Sequence, residues 1–205
     1  MHKHPHGRGH PDHHQGHGHK FDPANLEKLR DPERLQQQNP DAIWEVAAPT
    51  PVRTVVDVGV GIGFFAIPFA RKLPQGVVYG CDIRAEMLEH LRRALAQEQV
   101  NNVRAVLSGE VKIPLEDGIA DLVFMANLHH EFDHPEESLA EARRLLRPGG
   151  RLAIIDWKPE PTPTGPPVEV RVPPERVEAQ LRAAGFHDIA RHAILPHHYF
   201  LTAGK

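Results

Sequence analysis

The chain has 205 residues, a formal net charge of -3 and 40% hydrophobic residues, which suits one domain with a core large enough to fold alone. That charge gives no electrostatic case for a nucleic-acid polyanion or an acidic membrane as partner. The single cysteine, Cys81, excludes an intrachain disulfide. Together with the lack of a secretory apolar region or of any apolar run of about 18 residues, it points to a soluble, cytoplasmic protein.

Residues 1–20 carry His2, His4, His6, His10, His13, His14, His17 and His19 among glycines and prolines. With almost nothing to bury, this tail is expected to be disordered. Neutral imidazole is a common ligand of nickel and zinc, so a metal-binding tail stands beside a tolerated low-complexity terminus. Residues 21–51 are expected to form a helical lid. Asp22-Pro23 and Asp31-Pro32 each place an N-cap before a proline at the first helical position. Pro40-Asp41 then interrupts. Ile43, Trp44 and Val46 follow as a short apolar face, with Trp44 set either over a site or against the sheet edge.

Thr54 to Val58 is a β-branched run that breaks into Gly59, Gly61 and Gly63 and resumes with apolar residues at helical spacing. The reading is a buried parallel strand, a tight turn and a helix over 64–72, with Pro68 interrupting the helix. A P-loop needs Gly-Lys-Ser/Thr where this loop has Gly63-Phe64-Phe65, and a dinucleotide fingerprint needs glycine where Phe64 stands. Asp57 sits just before the turn, where a phosphate site would want neutral or basic groups. What remains, Asp57-x-Gly59-x-Gly61-x-Gly63, resembles motif I of the class I S-adenosylmethionine-dependent methyltransferases. In that family the loop wraps the methionine end of a ligand that has no phosphate.

Val77 to Asp82 is the second strand, ending in a carboxylate able to accept two hydrogen bonds from a ribose diol. Ile83 and Met87 beside it can flank an adenine ring, although Met87 equally suits the core face of the helix over 85–98, with Leu88, Leu91 and Leu95. Val103 to Leu107 is the third strand. The Ser108-Gly109-Glu110 that follows corresponds, by the resemblance, to the family's Gly-Asp pair at the adenine amine. Glu110 stands in place of aspartate, Val111 supplies a backbone amide toward the ring, and a helix-starting carboxylate is the alternative reading of Glu110. A fourth strand over 119–125 runs into Asn127-Leu128-His129-His130-Glu131, in the crevice where open α/β sheets bind ligands.

Ala120-Asp121-Leu122-Val123-Phe124, Leu128-His129-His130 and Leu145-Leu146-Arg147-Pro148-Gly149-Gly150 resemble the small-molecule, methyltransferase type 11-like branch of the family. The resemblance covers residues 52–157 and implies transfer of a methyl group from S-adenosylmethionine to a small or medium-sized acceptor, leaving S-adenosylhomocysteine. His129 or His130 is the candidate base, with Asn127 or Glu131 orienting it. Adjacent histidines point apart, so at most one faces the methyl group.

A helix over 135–146, a fifth strand over 151–156 and a proline-rich flap from Pro159 to Pro167 follow, with Trp157 and Lys158 at the flap's entrance. A helix over 173–184 closes at Gly185. Strands over 186–194 and 197–202 form an antiparallel pair, with His197, His198 and Tyr199 read as exposed at a sheet edge. The expectation is a Rossmann-like, doubly wound seven-stranded sheet over 52–205, mostly parallel with one antiparallel strand, in a monomer or homodimer. Asp57, Gly59, Gly61, Gly63, Asp82, Ile83, Met87, Glu110, Val111 and Asn127 form its cofactor site. The alternatives are a methyltransferase acting on RNA or protein, and a nucleotide-sensing, metal-handling protein that uses the tail.

Overall fold

The computed structural model describes residues 32–205. The histidine tail and the helix start at Asp22-Pro23 lie outside them. The chain runs α1 (Glu33–Gln37), α2 (Pro40–Ala47), β1 (Thr54–Val58), α3 (Ala66–Lys72), β2 (Val77–Asp82), α4 (Ala85–Gln97), β3 (Val103–Leu107), β4 (Ala120–Ala126), α5 (Pro135–Leu145), β5 (Leu146–Trp157), α6 (Pro174–Ala183), β6 (His187–His192) and β7 (His198–Gly204). The strands form one seven-stranded sheet in the order β3-β2-β1-β4-β5-β7-β6. β1 to β5 pair in parallel, and β7 runs antiparallel to both β5 and β6. The expected architecture is therefore present, with β7 as the one reversed strand.

Alternation along the strands feeds two cores, one on each face of the sheet. Leu122 and Phe124 of β4, Ala153 and Ile155 of β5 and Phe200 of β7 meet α2, α3 and α4 on one face. Val123, Met125, Leu152, Ile154 and Leu201 point the other way, onto α5 and α6. Helices on both faces are what let these central strands be apolar throughout.

Four expectations change. Pro40 does not interrupt a helix but starts one. The Asn39 side chain caps it by accepting from the amides of Asp41 and Ala42, and the proline at the first position loses no bond. Pro68 causes no break, because α3 begins at Ala66 and so places the proline in the first turn, where its amide would have no helical partner. His198 and Tyr199 are buried rather than exposed, since β7 is interior and β6 is the edge strand. The β5 strand is also longer than expected, because Leu146 already pairs with Ala120 across an irregularity in the register.

Candidate functional site

Parallel strands that end together leave their carboxyl ends as a trough, and the order reverses direction between β1 and β4, so the crevice opens there. A cavity of about 680 Å³ occupies this place, lined by the glycine loop, the ends of β2 and β4, α1 and the proline-rich flap. That is the size range in which small-molecule ligands are held.

The loop after β1 is shaped by glycines at positive φ: Gly59 at 72°, Gly61 at 53° and Gly63 at 90°. The amides of Gly59 and Val60 both donate to the carbonyl of Cys81, which ties the loop over the end of β2. A Cβ on Gly59 would sit 2.8 Å from Leu128 Cδ2, so the loop and the 127–131 segment touch without room for a side chain. Asp82 closes this corner. Its Oδ2 accepts from the amide of Gly61 at 3.1 Å and its Oδ1 from that of Arg84 at 3.0 Å. Burial holds its pKa above the usual carboxylate value, against the pull of those two amides.

Asp57 lies just before the loop, almost wholly buried in the cavity wall. Burial pushes its pKa up to about 8; the nearby Arg34 guanidinium and the amide of Ala66 oppose the rise, and Asp82 adds to it. Arg34 reaches the same space from α1, with its guanidinium 4.0 Å above the Phe64 ring. One turn on, Gln38 is almost wholly buried. Its Oε1 accepts from Asn127 Nδ2 at 3.1 Å and its Nε2 donates to His198 Nε2 at 2.9 Å. That direction fixes His198 as neutral, in keeping with a pKa that burial lowers to about 3. The α1 segment is thus latched to the ends of β4 and β7.

The two histidines part company in a single 3-10 turn, His129–Glu131. His129 turns away from the cavity. It is buried, bonded through Nε2 to Gln180 Oε1 of α6 at 2.9 Å, and edge-on to Phe132. His130 lines the cavity. Its Nδ1 is 2.8 Å from Asp156 Oδ1, and its own amide donates to Asp156 Oδ2 at 2.9 Å. The amide of Trp157 gives Asp156 a third bond at 2.7 Å. Burial alone would depress the His130 pKa. The hydrogen bond and charge of Asp156, joined by Glu131, outweigh it and raise the pKa above the ordinary histidine value. Asp156 moves the opposite way: its pKa is lowered, because His130 outweighs complete burial.

Of the residues singled out from the sequence, Asp57, Gly59, Gly61, Asp82, Ile83, Met87, Glu110, Asn127 and His130 line one cavity. Asn127 adopts φ 54°, which asparagine tolerates, and its Oδ1 is buried with no hydrogen-bond partner. Glu110 spends one oxygen as the acceptor of the amides of Asp133 and His134, just ahead of α5. Gly63 and Val111 stand outside the cavity wall. Gly63 is a packing glycine, since a Cβ there would lie 2.6 Å from Leu91 Cδ1. A turn closed by Gly109 N donating to Lys112 O leaves Ser108, Gly109 and Glu110 on the wall, and Val111 off it. Trp157 lines the cavity, whereas Lys158 reaches Pro196 O at 2.7 Å. Trp44 packs on Phe69 at 5.0 Å, away from the cavity. Arg34, Gln38 and Asp156 went unread in the sequence. Only the rule that open α/β sheets bind ligands at the carboxyl ends of their strands could have found Asp156, the penultimate residue of β5. Among the described residues no group of three His, Cys, Asp or Glu is placed to hold a metal, and no helix is long and apolar enough to cross a membrane.

Comparison with known proteins agrees with this geometry. Residues 55–150 match the model of a methyltransferase domain. The chain is 32% identical over 127 residues to a ubiquinone/menaquinone biosynthesis C-methyltransferase of Paracoccus denitrificans, covering 59% of this chain and 51% of that protein. It is 33% identical over 118 residues to a demethylmenaquinone methyltransferase of Deinococcus radiodurans, covering 58% and 48%. The chain thus spans about half the length of the curated relatives it matches. The crystal structure of a SAM-dependent methyltransferase from Aquifex aeolicus superposes with a TM-score of 0.86 at 33% identity, covering 90% of this chain and 99% of that one. On the 33% identity and the near-complete coverage of that structure, the chain belongs to the class I S-adenosylmethionine-dependent methyltransferases.

Proposed function

We propose that this chain transfers a methyl group from S-adenosylmethionine to a small hydroxylated acceptor, with His130, held by Asp156, as the base. The observation that carries the reading is the His130–Asp156 pair set in the same cavity as the glycine loop and Asp82.

The residues present fit the cofactor. Asp82 keeps a lone pair on each oxygen beyond the two amides it serves, which suits the vicinal hydroxyls of a ribose. Ile83 and Met87 give apolar surface for an adenine. Gly59 and Gly61 leave backbone open to close approach. Asp57 and Arg34 offer a carboxyl and a guanidinium to the two charged ends of an amino acid, and a ligand ammonium would draw the Asp57 proton off. When bound, S-adenosylmethionine supplies a methyl group already activated on a sulfonium, so the protein must align an acceptor and deprotonate it where needed.

His130 meets the second need. With Nδ1–H donating to Asp156, the neutral ring carries its lone pair on Nε2. A proton taken there makes an imidazolium facing a buried carboxylate that three donors already hold in place. A hydroxyl on an aromatic or enolisable carbon frame matches such a base, and loss of its proton sends electron density to carbon as well as oxygen. The C-methyltransferase relatives support acceptance at carbon. A roofed cavity of about 680 Å³ that must hold cofactor and acceptor together favours a small acceptor over RNA or protein.

The test is transfer of a labelled methyl group to panels of hydroxyaromatics, amines and carboxylic acids, with wild type and His130→Gln. Transfer to the hydroxyaromatic panel, rising with pH and falling about 100-fold or more in the variant, supports the reading. Transfer confined to amines, or a variant as fast as wild type, overturns it.

A further inference from the structure

We propose that Arg171 is a positioning residue whose guanidinium assembles the loop over 158–167 into a fixed, uncharged wall on the acceptor side of the cavity. The inference rests on the reading above only in calling that side the acceptor's.

The loop has a chemical problem that its sequence creates. Pro159, Pro161, Pro163, Pro166 and Pro167 have no amide hydrogen, so the segment meets few of its own carbonyls: Glu160 N donates to Lys158 O and Thr162 Oγ1 to Thr164 O, and the carbonyls of Glu160 and Pro166 need donors from elsewhere. Arg171 supplies the missing donors. Its Nε donates to Pro166 O at 3.0 Å, and its Nη1 to Lys158 O at 3.1 Å and Glu160 O at 2.7 Å. Its Nη2 donates to Thr162 Oγ1 and Pro166 O, both at 2.8 Å, and more weakly to Thr164 O at 3.5 Å. The group is 7% exposed, and the planar fork of five N–H groups is spread over carbonyls that no lysine could span.

The loop is then pressed on Trp157. The Arg171 guanidinium lies 5.2 Å from that ring. Gly165, at φ 108°, comes so close that a Cβ would stand 2.9 Å from the indole. What faces the cavity is Pro163, Thr164, Gly165, Pro166 and Pro167 beside Trp157, a wall without a charged group. Such a wall takes the flank of an uncharged, apolar molecule and repels a charged one by withholding any counter-charge. Arg171 does not itself line the cavity: its N–H groups are turned onto the loop's oxygens, and its charge reaches the cavity only as a weak opposing influence on the His130 pKa.

Trp157 reports on this directly. The chain has two tryptophans, and Trp44→Phe leaves Trp157 alone. In that background, with S-adenosylhomocysteine bound, acrylamide quenching of Trp157 is compared in the parent, Arg171→Met, Arg171→Lys and Gly165→Ala. Arg171→Met should raise the quenching constant roughly threefold, as local opening uncovers the indole, and Arg171→Lys should restore part of the protection. Gly165→Ala should raise it with Arg171 intact. Calorimetric affinity for S-adenosylhomocysteine should stay within about twofold throughout, since none of these groups lies on the cofactor side. Unchanged quenching in Arg171→Met, or quenching that rises only with loss of the thermal transition and of S-adenosylhomocysteine affinity, overturns the inference. Failure of the parent itself to bind S-adenosylhomocysteine instead overturns the functional reading.

Discussion

Asp82→Asn is the substitution that most directly weighs the cofactor corner. Each carboxylate oxygen of Asp82 already accepts one backbone amide, at 3.1 and 3.0 Å, and retains one lone pair for a ligand hydroxyl. Asparagine keeps the shape, the volume and one of those oxygens. The other becomes an NH2 that meets either Gly61 N–H or Arg84 N–H donor to donor, and can no longer accept from a ribose. A hydrogen bond to a charged acceptor is worth about 1.5–3 kcal/mol, so losing one to the ligand weakens binding about 10- to 150-fold. Titration calorimetry with S-adenosylhomocysteine at neutral pH reads this out. A second signature comes from acid. Burial raises the Asp82 pKa, so wild-type affinity should fall as pH drops through that raised value and the acid form comes to imitate asparagine. The gap between wild type and variant should therefore narrow toward acid. A variant within about threefold of wild type at neutral pH, or a gap that stays constant with pH, would refute the argument.

Three further outcomes are open to measurement. Gly59→Ala forces a left-handed alanine, at φ 72°, against Leu128; the conformation alone costs about 1–2 kcal/mol, and an unchanged denaturant midpoint would contradict this. Glu141→Ala removes the acceptor of Ile113 N and of a two-pronged contact from Arg144, which also binds Leu115 O and Ile113 O. About 2–3 kcal/mol of stability should be lost, since donors are left unmet beside the loop before β4, and urea melts would show it. Asp156→Asn leaves His130 with burial and only the more distant Glu131 carboxylate, so its pKa falls from its raised value. The alkaline rise of methyl transfer then shifts to lower pH. The linked stability has a definite sign. A raised folded-state pKa in wild type contributes stability that is complete below the unfolded histidine value of about 6.5 and lost as pH rises through the folded value. The difference in melting temperature between wild type and Asp156→Asn should therefore be larger at mildly acid than at alkaline pH, and a difference that grows with pH would rule the pairing out.

The fold was legible because burial writes itself locally. Val77 to Asp82 and Val103 to Leu107 stand where the apolar runs placed them, and the amphipathic faces of α4 and α5 pack as their spacing required. Where the reading slipped, the lost information was positional. Pro40 and Pro68 both fall in the first turn of a helix, where a missing amide costs no bond, and where each helix starts is not written in the prolines themselves: Asn39 caps α2, while α3 begins with no capping side chain. Tyr199 and His198 looked like edge residues because nothing local says which of the last two strands is inserted next to β5.

The site divides along the same line. The glycine loop and Asp82 are legible because their place in the cavity wall is set by backbone geometry within a few residues of themselves. The proposed base is not legible in that way. His129 and His130 share composition, neighbours and exposure in any one-dimensional view, and what separates them is a partner 26 positions away on β5. The 3-10 turn gives adjacent residues directions about 120° apart, so one ring must meet α6 and the other the end of β5. Which ring does so follows from the register Ala126–Ile155, which brings Asp156 beside the start of the turn. The amide of His130 and its ring both bind Asp156, so backbone and side chain choose the same histidine. His129 has no route to that carboxylate without unmaking its bond to Gln180. Moving the histidine one position, in the triple variant His129→Gln, His130→Gln and Glu131→His, should therefore restore no activity. Restored methyl transfer in that variant would mean that the cavity tolerates any nearby imidazole and that the Asp156 contact has no part in the chemistry.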